Sequence, residues 1–383
     1  MGKENEMKGK RGSVIVAMLG LSLLISFSAP DEAKAQYWGK QSVEGPRFKV
    51  DPFWPKPLPN RWVFGELGAV CTDKQDHVFV MSRGNLWPKE AESVGFIANP
   101  APAVVEFDAD GNVVNSWGQR EMLPNQLHGC FIDSQGNFWT AGYKDGIIQE
   151  YTHDGSKMLL QIGTKGKFDS ADGTDSTLPG GSAAMNSSRE SFNSPTGIAV
   201  DSTNGDVYVS DGYGNRRIAV FDRSGHFLRQ WGRQGTLADE NAGAGGVFLK
   251  IVHCVLIGND GFVYVCDRNG DRIEVFDKMG DYKRSIASVS SWGTPRYTGP
   301  GGTCDLAFSP DATQKYLYIS DCTNDEVHIV DRVTGATLSS FGRAGQAAGD
   351  ISSPHNLATD SKGNIYVAGS LNDRRVQKFV LVK

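Results

Sequence analysis

"HGCFIDSQGNFWTAGYKDGIIQEYTHDG" occupies residues 128–155, and three other stretches run in its register: "TGIAVDSTNGDVYVSDGYGNRRIAVFDRSG" (196–225), "HCVLIGNDGFVYVCDRNGDRIEVFDKMG" (253–280) and "HNLATDSKGNIYVAGSLNDRRVQKF" (355–379). Two degenerate copies join them: "GAVCTDKQDHVFVMSRGN" (68–85), continued by "AVVEFDADGNVVNSWG" (103–118), and "CDLAFSPDATQKYLYISDCTNDEVHIVDRVTG" (304–335). Each of the six copies alternates β-branched and aromatic residues with turns rich in Asp, Asn and Gly. Alternation at period two buries one face of a strand, and Asn-Gly or Asp-Gly supplies the positive φ that a tight hairpin needs. Three strands are visible per copy, and "NVVNSWG" or "FLRQWG" adds a fourth. Six four-stranded sheets bury both faces most economically by packing radially, which predicts an all-β, six-bladed β-propeller over residues 61–383. The last copy ends after three strands, and "RFKVDP" (47–52), in the segment 36–60, is the expected fourth strand that closes the ring.

Residues 1–35 read as a secretion signal: Lys8, Lys10 and Arg11 precede an apolar run from Val14 to Phe27, and Ala33-Lys34-Ala35 is a small-x-small cleavage pattern. An uncleaved membrane anchor is the competing reading, because the apolar run approaches spanning length. No later stretch is apolar and long enough to cross a bilayer, so a soluble, secreted or periplasmic protein is expected. Cutting after Ala35 removes five Lys/Arg and four Asp/Glu and takes the net charge from −5 to −6. That acidic balance, with no basic run beyond the signal, argues against nucleic acid and against anionic lipid as partners. Six cysteines allow up to three disulfides, none lies in a C-x-x-C pair, and the pairing is not readable. Residues 84–102, 164–193 and 233–250 stand outside the repeat and are expected as loops on one rim. A monomer is the default expectation.

The first residue of the aligned segment is, in order, Gly68, His128, Thr196, His253, Cys304 and His355. Histidine occupies copies two, four and six and none of the odd ones, in a chain with seven histidines. The innermost strand of each blade lines the channel of a propeller, so three imidazoles at one depth, a third of a turn apart, would converge on the axis. Three histidines with an open fourth position suit a catalytic zinc and several other divalent metals. The remaining histidines, His77, His153, His226 and His328, are expected as surface residues. A second register lies just past the second strand, with Arg83 and Arg268 aligned in copies one and four and Tyr213 one position later. Two guanidiniums facing a common mouth make a carboxylate site, and a phenol there reaches a metal-bound substrate; the bland alternative is inter-blade salt bridges and a turn-packing tyrosine.

These repeats look like NHL repeats, and "PTGIAVDSTNGDVYVSDGYGNRRIAVFDRSGHFLRQWG" (195–232) closely resembles the matching stretch of the peptidyl-α-hydroxyglycine α-amidating lyases. The similarity covers about residues 60–380 and is weakest in copy one and the long loops. The resemblance implies a zinc on His128, His253 and His355 in "LHGCFID", "VHCVLIG" and "PHNLATD", a catalytic Tyr213 in "SDGY", and functional arginines at Arg83 and Arg268. It also implies a structural calcium held partly by the residue after the third histidine. That residue is Asn356 here, whose amide oxygen brings no charge, so calcium is left open. The implied reaction cleaves the N–C bond of a carbinolamide, releasing an amide and glyoxylate from a peptidyl-α-hydroxyglycine or a smaller α-hydroxy-N-acyl acid bearing a carboxylate. Two other readings stand beside it: a non-catalytic NHL propeller binding peptide, protein or carbohydrate on its rim, and a hydrolase of the lactonase or esterase kind. The histidine register speaks against both, since a rim binder has no use for it and such hydrolases use calcium on acidic and Asn ligands.

Overall fold

The computed structural model describes residues 45–382 except 87–90, 93, 96, 178–180, 184–185, 237, 240–241 and 288–301. The expected secretion signal lies outside the described residues. The inner strands of the six blades are Leu67–Thr72, Leu127–Ile132, Pro195–Val200, Val252–Ile257, Thr303–Phe308 and Pro354–Thr359, each the first strand of a four-stranded antiparallel sheet. They touch one another in cyclic order, the sixth returning to the first, as a six-bladed propeller requires. In blade six, Arg47–Asp51 pairs antiparallel with Val376–Val382, so the N-terminal strand closes the ring.

Burial follows the strand pattern. Second strands such as Val78–Ser82 and Val207–Asp211 are buried throughout, whereas the outer strand Phe227–Trp231 alternates between half-buried and exposed residues. Six apolar clusters form, one in each seam between neighbouring blades. Each blade therefore gains its core only from its neighbours, and truncating a fully buried ring such as Phe79 costs about 3–5 kcal/mol.

The hairpins after the inner strands take the positive φ expected of them, in loops longer than two residues. In blade two, Gly136 donates to the Asp133 carbonyl at 3.0 Å and takes φ +86°, while Asp133 Oδ1 accepts the amides of Gln135 and Asn137 at 2.9 Å. This is a longer loop in which glycine follows the turn and the aspartate satisfies the backbone. The three non-repeat segments all join strand ends on one rim, the end where the inner strands begin. They are not wholly irregular: Trp62–Val63 pairs in parallel with Asn99–Pro100, and Arg233–Gln234 with Val247–Phe248.

All six cysteines are bridged. Cys71–Cys130 ties blade one to blade two, Cys254–Cys266 crosses two strands of blade four, and Cys304–Cys322 does so in blade five. Such bridges fit an oxidising compartment. One surface assignment is overturned: His328 is 4% exposed and bonds through Nε2 to Asp321 Oδ2 at 3.0 Å, because its strand packs between two others. Among the described residues, no helix is long and apolar enough to cross a membrane.

Candidate active site

In every blade the pairing of the inner strand with the second strand slips at one residue, and those residues are Gly68, His128, Thr196, His253, Cys304 and His355. A bulge leaves its extra residue out of the ladder and re-aims its side chain. Here the bulge frees the carbonyl as well. His128 Nδ1 donates to the Thr196 carbonyl at 2.9 Å, His253 Nδ1 to that of Cys304 at 2.5 Å and His355 Nδ1 to that of Gly68 at 3.0 Å. Each even-blade imidazole is thus tethered to the bulge of the next odd blade.

With Nδ1 protonated, each imidazole keeps its Nε2 lone pair for the centre of the channel. The ring centroids lie 4.4, 4.5 and 5.0 Å apart, and one nitrogen from each falls within 4.8 Å of the others. Burial holds all three neutral: His128 and His253 lie well below the ordinary histidine value, depressed further by neighbouring imidazoles, and His355 is pushed down to about 3, next by Arg83. Neutral imidazoles whose other nitrogen donates to a carbonyl are the donor set a zinc ion takes, so these residues fit that metal.

Above the histidines lie four side chains from blades one to four. Tyr213 Oη is 3.4 Å from His128 Nε2 and 3.3 Å from His253 Nε2, and Arg268 Nη1 donates to it at 3.4 Å. Tyr143, unforeseen from the sequence, stacks on Tyr213 with ring centroids 4.9 Å apart and receives Arg83 over its other neighbourhood at 5.7 Å. Burial raises the Tyr143 phenol, partly offset by Arg83. Its signal was present: Tyr143 follows its second strand by one residue, as Arg83 and Arg268 follow theirs.

The two arginines are not equivalent. Arg83 is held by Glu66 Oε2 at 3.2 Å and by the Leu127 carbonyl at 2.9 Å. Arg268 has no carboxylate partner among the described residues, and its Nε is buried without a hydrogen bond. Among the described residues, Arg268 thus lacks the carboxylate tether that Arg83 has.

The turn that carries Tyr213 is fixed from beneath. The amides of Gly212 and Tyr213 donate to the Ser194 carbonyl, and those of Gly214 and Asn215 to that of Asn193. A Cβ on Gly212 would come within 1.9 Å of the Val252 carbonyl oxygen and one on Gly214 within 2.1 Å of Asn193 Oδ1, so no side chain fits on either flank of the tyrosine. Asp211, fully buried, accepts from Asn193, Asn215 and Arg217 and locks the loop end to the blade.

Calcium finds a poorer set. Asn356 Oδ1 is taken by His355 Nδ1 at 2.6 Å and its Nδ2 donates to Asp305 Oδ2 at 3.1 Å, so both ends of the amide are engaged. Asp305 is the one acidic side chain lining the 270 Å³ channel cavity behind the histidines, and burial pushes its carboxyl up to about 7. These residues do not fit a calcium ion held through Asn356.

Residues 192–221 match the NHL repeat and residues 341–370 a β-propeller repeat model. The chain is an NHL-repeat β-propeller. The propeller is 26% identical over 330 residues to peptidyl-glycine alpha-amidating monooxygenase B of Xenopus laevis, covering 82% of this chain and 34% of that protein. It is 25% identical over 363 residues to peptidyl-alpha-hydroxyglycine alpha-amidating lyase 1 of Drosophila melanogaster, covering 85% and 58%. NHL repeat-containing protein 3 of Homo sapiens is 26% identical over 347 residues, covering 87% and 84%. The chain thus spans about a third of the amidating monooxygenases it matches. A solved streptogramin B lyase superposes with a TM-score of 0.53 at 13% identity over 88% of this chain and 98% of the other, a likeness of fold alone. The NHL propeller resembles the amidating lyases in sequence.

Proposed function

We propose that this propeller is an exported, zinc-dependent lyase that cleaves the N–C bond of a peptidyl-α-hydroxyglycine, or of a smaller α-hydroxy-N-acyl acid, to an amide and glyoxylate. The observation that carries the reading is the convergence of one ring nitrogen from each of three imidazoles, with a phenol 3.3–3.4 Å from two of their Nε2 atoms and a guanidinium that donates to that phenol. His128, His253 and His355 would hold the zinc, which supplies a Lewis acid for the substrate hydroxyl. Arg268 pairs with the substrate carboxylate and thereby fixes the α-carbon over the channel. Tyr213 accepts the hydroxyl proton, the electron pair of the C–N bond leaves with nitrogen, and the proton passes to that nitrogen as the amide departs. Arg83, tied to Glu66, steadies the Tyr143 wall on which Tyr213 stacks. The three disulfides support an exported protein, and the acidic chain supports a small-molecule or peptide substrate over nucleic acid.

NHL repeat-containing protein 3, covered over 84% of its own length, is as similar to this chain as the lyases are, which leaves a second reading, a propeller that binds a partner without chemistry. One experiment separates them. The mature chain and His253→Ala are assayed for zinc and for glyoxylate release from α-hydroxyhippurate. The lyase reading expects about one channel zinc lost in the variant together with glyoxylate release; zinc without glyoxylate from any α-hydroxy-N-acyl acid leaves the binding reading.

A further inference from the structure

The seam between blades one and two departs at two positions from those that follow it. In the next three seams an aspartate in the turn after an inner strand meets a permanent cation from the third hairpin of the next blade. Asp133 faces Arg223 at 3.9 Å, Asp201 faces Lys278 at 2.5 Å, and Asp260 pairs with Arg332. In the first seam the cation is replaced by His153, whose Nε2 lies 2.9 Å from Asp73 Oδ2. The second departure is His77. The matching residue of blade two, Asn137, donates its amide to Glu150 at 2.8 Å, whereas His77 Nδ1 meets Glu106 Oε1 at 2.6 Å and lies 3.9 Å from Asp73 Oδ2.

Two carboxylates with side chains only 2% and 5% exposed are therefore faced by imidazoles, Asp73 where the next three seams place a fixed positive charge and Glu106 where blade two places the neutral amide of Asn137. The donor atoms of Asp73, His77 and Glu106 all lie within 4.8 Å of one another. The separations of 2.6 and 2.9 Å are those of direct hydrogen bonds, and an opening of less than about 1 Å brings them to the ligand-to-ligand edge of about 3.3 Å that a tetrahedral zinc with bonds near 2 Å needs. Mixed imidazole and carboxylate donors suit zinc and its transition-metal neighbours rather than calcium or magnesium. The histidines are about a third exposed, with side chains 32% and 38% accessible, which leaves an entry path, while Asp73 is held in place by the amides of Gln75 and His77.

We propose that this seam holds a second metal site, taking a zinc-class divalent ion on Asp73, His77 and Glu106, with His153 of the adjoining blade bonded to the Asp73 carboxylate at its edge. The ion would tie the turn after the inner strand of blade one to that blade's third strand, at the rim opposite the candidate active site and beside the Asp73–His153 contact that spans the seam. It does not depend on the lyase reading.

The test uses substitutions that the fold already accepts in these registers, His77→Asn and His153→Arg combined. Wild type and the double variant are stripped with chelator, titrated with zinc, and followed by stoichiometry and by thermal unfolding. The proposal expects the variant to bind one zinc fewer than wild type and to lose part of the zinc-induced rise in Tm. Equal stoichiometry in the two proteins overturns it and leaves His153 as a hydrogen-bonding substitute for the inter-blade cation. Because the reading is the difference between two proteins with the same channel histidines, failure of the channel assignment leaves the outcome interpretable.

Discussion

At the rim where the inner strands end, blades one, two and six close on the same device. Asp73, Asp133 and Asp360 each accept the amide four residues on, at 2.8, 2.9 and 2.8 Å, around a residue at positive φ: Asp76, Gly136 and Gly363. At the opposite rim, the residues just past the second strands are Arg83, Tyr143, Gly212, Arg268, Cys322 and Ser370. One rim repeats its turn in half of the blades and the other has diverged blade by blade. Both rims are ends of the same strands, so strand geometry does not explain the difference. Backbone satisfaction favours a common solution where a hairpin must close, whereas side chains that meet over a channel are selected singly for what they touch.

The sharpest way to break that comparison is at the divergent rim. Tyr213→Phe removes one oxygen from a residue whose ring packs on Tyr143 and whose backbone is fixed by Ser194. Under the lyase reading, kcat for glyoxylate release falls by about 10²–10⁴, the range for losing a general base, with zinc content and Tm unchanged. A residual rate above a tenth of wild type would remove Tyr213 from the chemistry. The arginines come next. Arg268→Ala is expected to raise KM by roughly 10- to 100-fold, the cost of one charge-assisted contact to the substrate carboxylate. Arg83→Ala should lower kcat more than it raises KM, because it unseats Tyr143 and leaves Glu66 without its 3.2 Å partner. Equal KM effects in both variants would show the two guanidiniums to act alike.

The same contrast governs what the sequence made legible. Six in-register copies carried the strand order and the closing strand at Arg47–Asp51, and the alternation of His128, His253 and His355 against Gly68, Thr196 and Cys304 placed three imidazoles together. Repetition makes such features visible because one error in alignment would break all six. Tyr143 stayed hidden because a tyrosine in a turn is unremarkable until its stacking on Tyr213 is known. The bridge Cys71–Cys130 crosses a seam, and no spacing rule encodes contacts between blades. The orientation of Asn356 was equally out of reach, since it depends on Asp305 from the blade before. His77 and His153 were set aside as surface residues because each is ordinary alone; only the neighbouring seams show what they replace.

Asp305 sharpens the comparison from inside the channel, where neither rim reaches. Its carboxyl is buried, bonded to Asn356 and the Leu357 amide, and raised from 3.8 to about 7. A raised carboxyl binds protons more tightly folded than unfolded, so its contribution is present at low pH and is lost progressively as pH climbs from about 4 past 7. Asp305→Asn removes that loss. In chelator, the Tm of the variant should overtake that of wild type with rising pH, by on the order of 5 °C at pH 9. Parallel Tm profiles for the two proteins would mean that a cation or water network already compensates the charge.

The smallest effect belongs to the repetitive rim. Arg223 reaches Asp133 at 3.9 Å with 41% of its side chain exposed, so solvent screens the pair and its net value is below about 1 kcal/mol. Arg223→Ala is expected to lower Tm by no more than about 4 °C and to leave zinc content and turnover untouched. The reason is redundancy: the Asp133 carboxylate keeps the amides of Gln135 and Asn137 and the Trp139 indole, so the turn stays closed without the arginine. A large loss of stability, or any change in turnover, would show that the seams transmit strain to the channel and that the two rims are not independent.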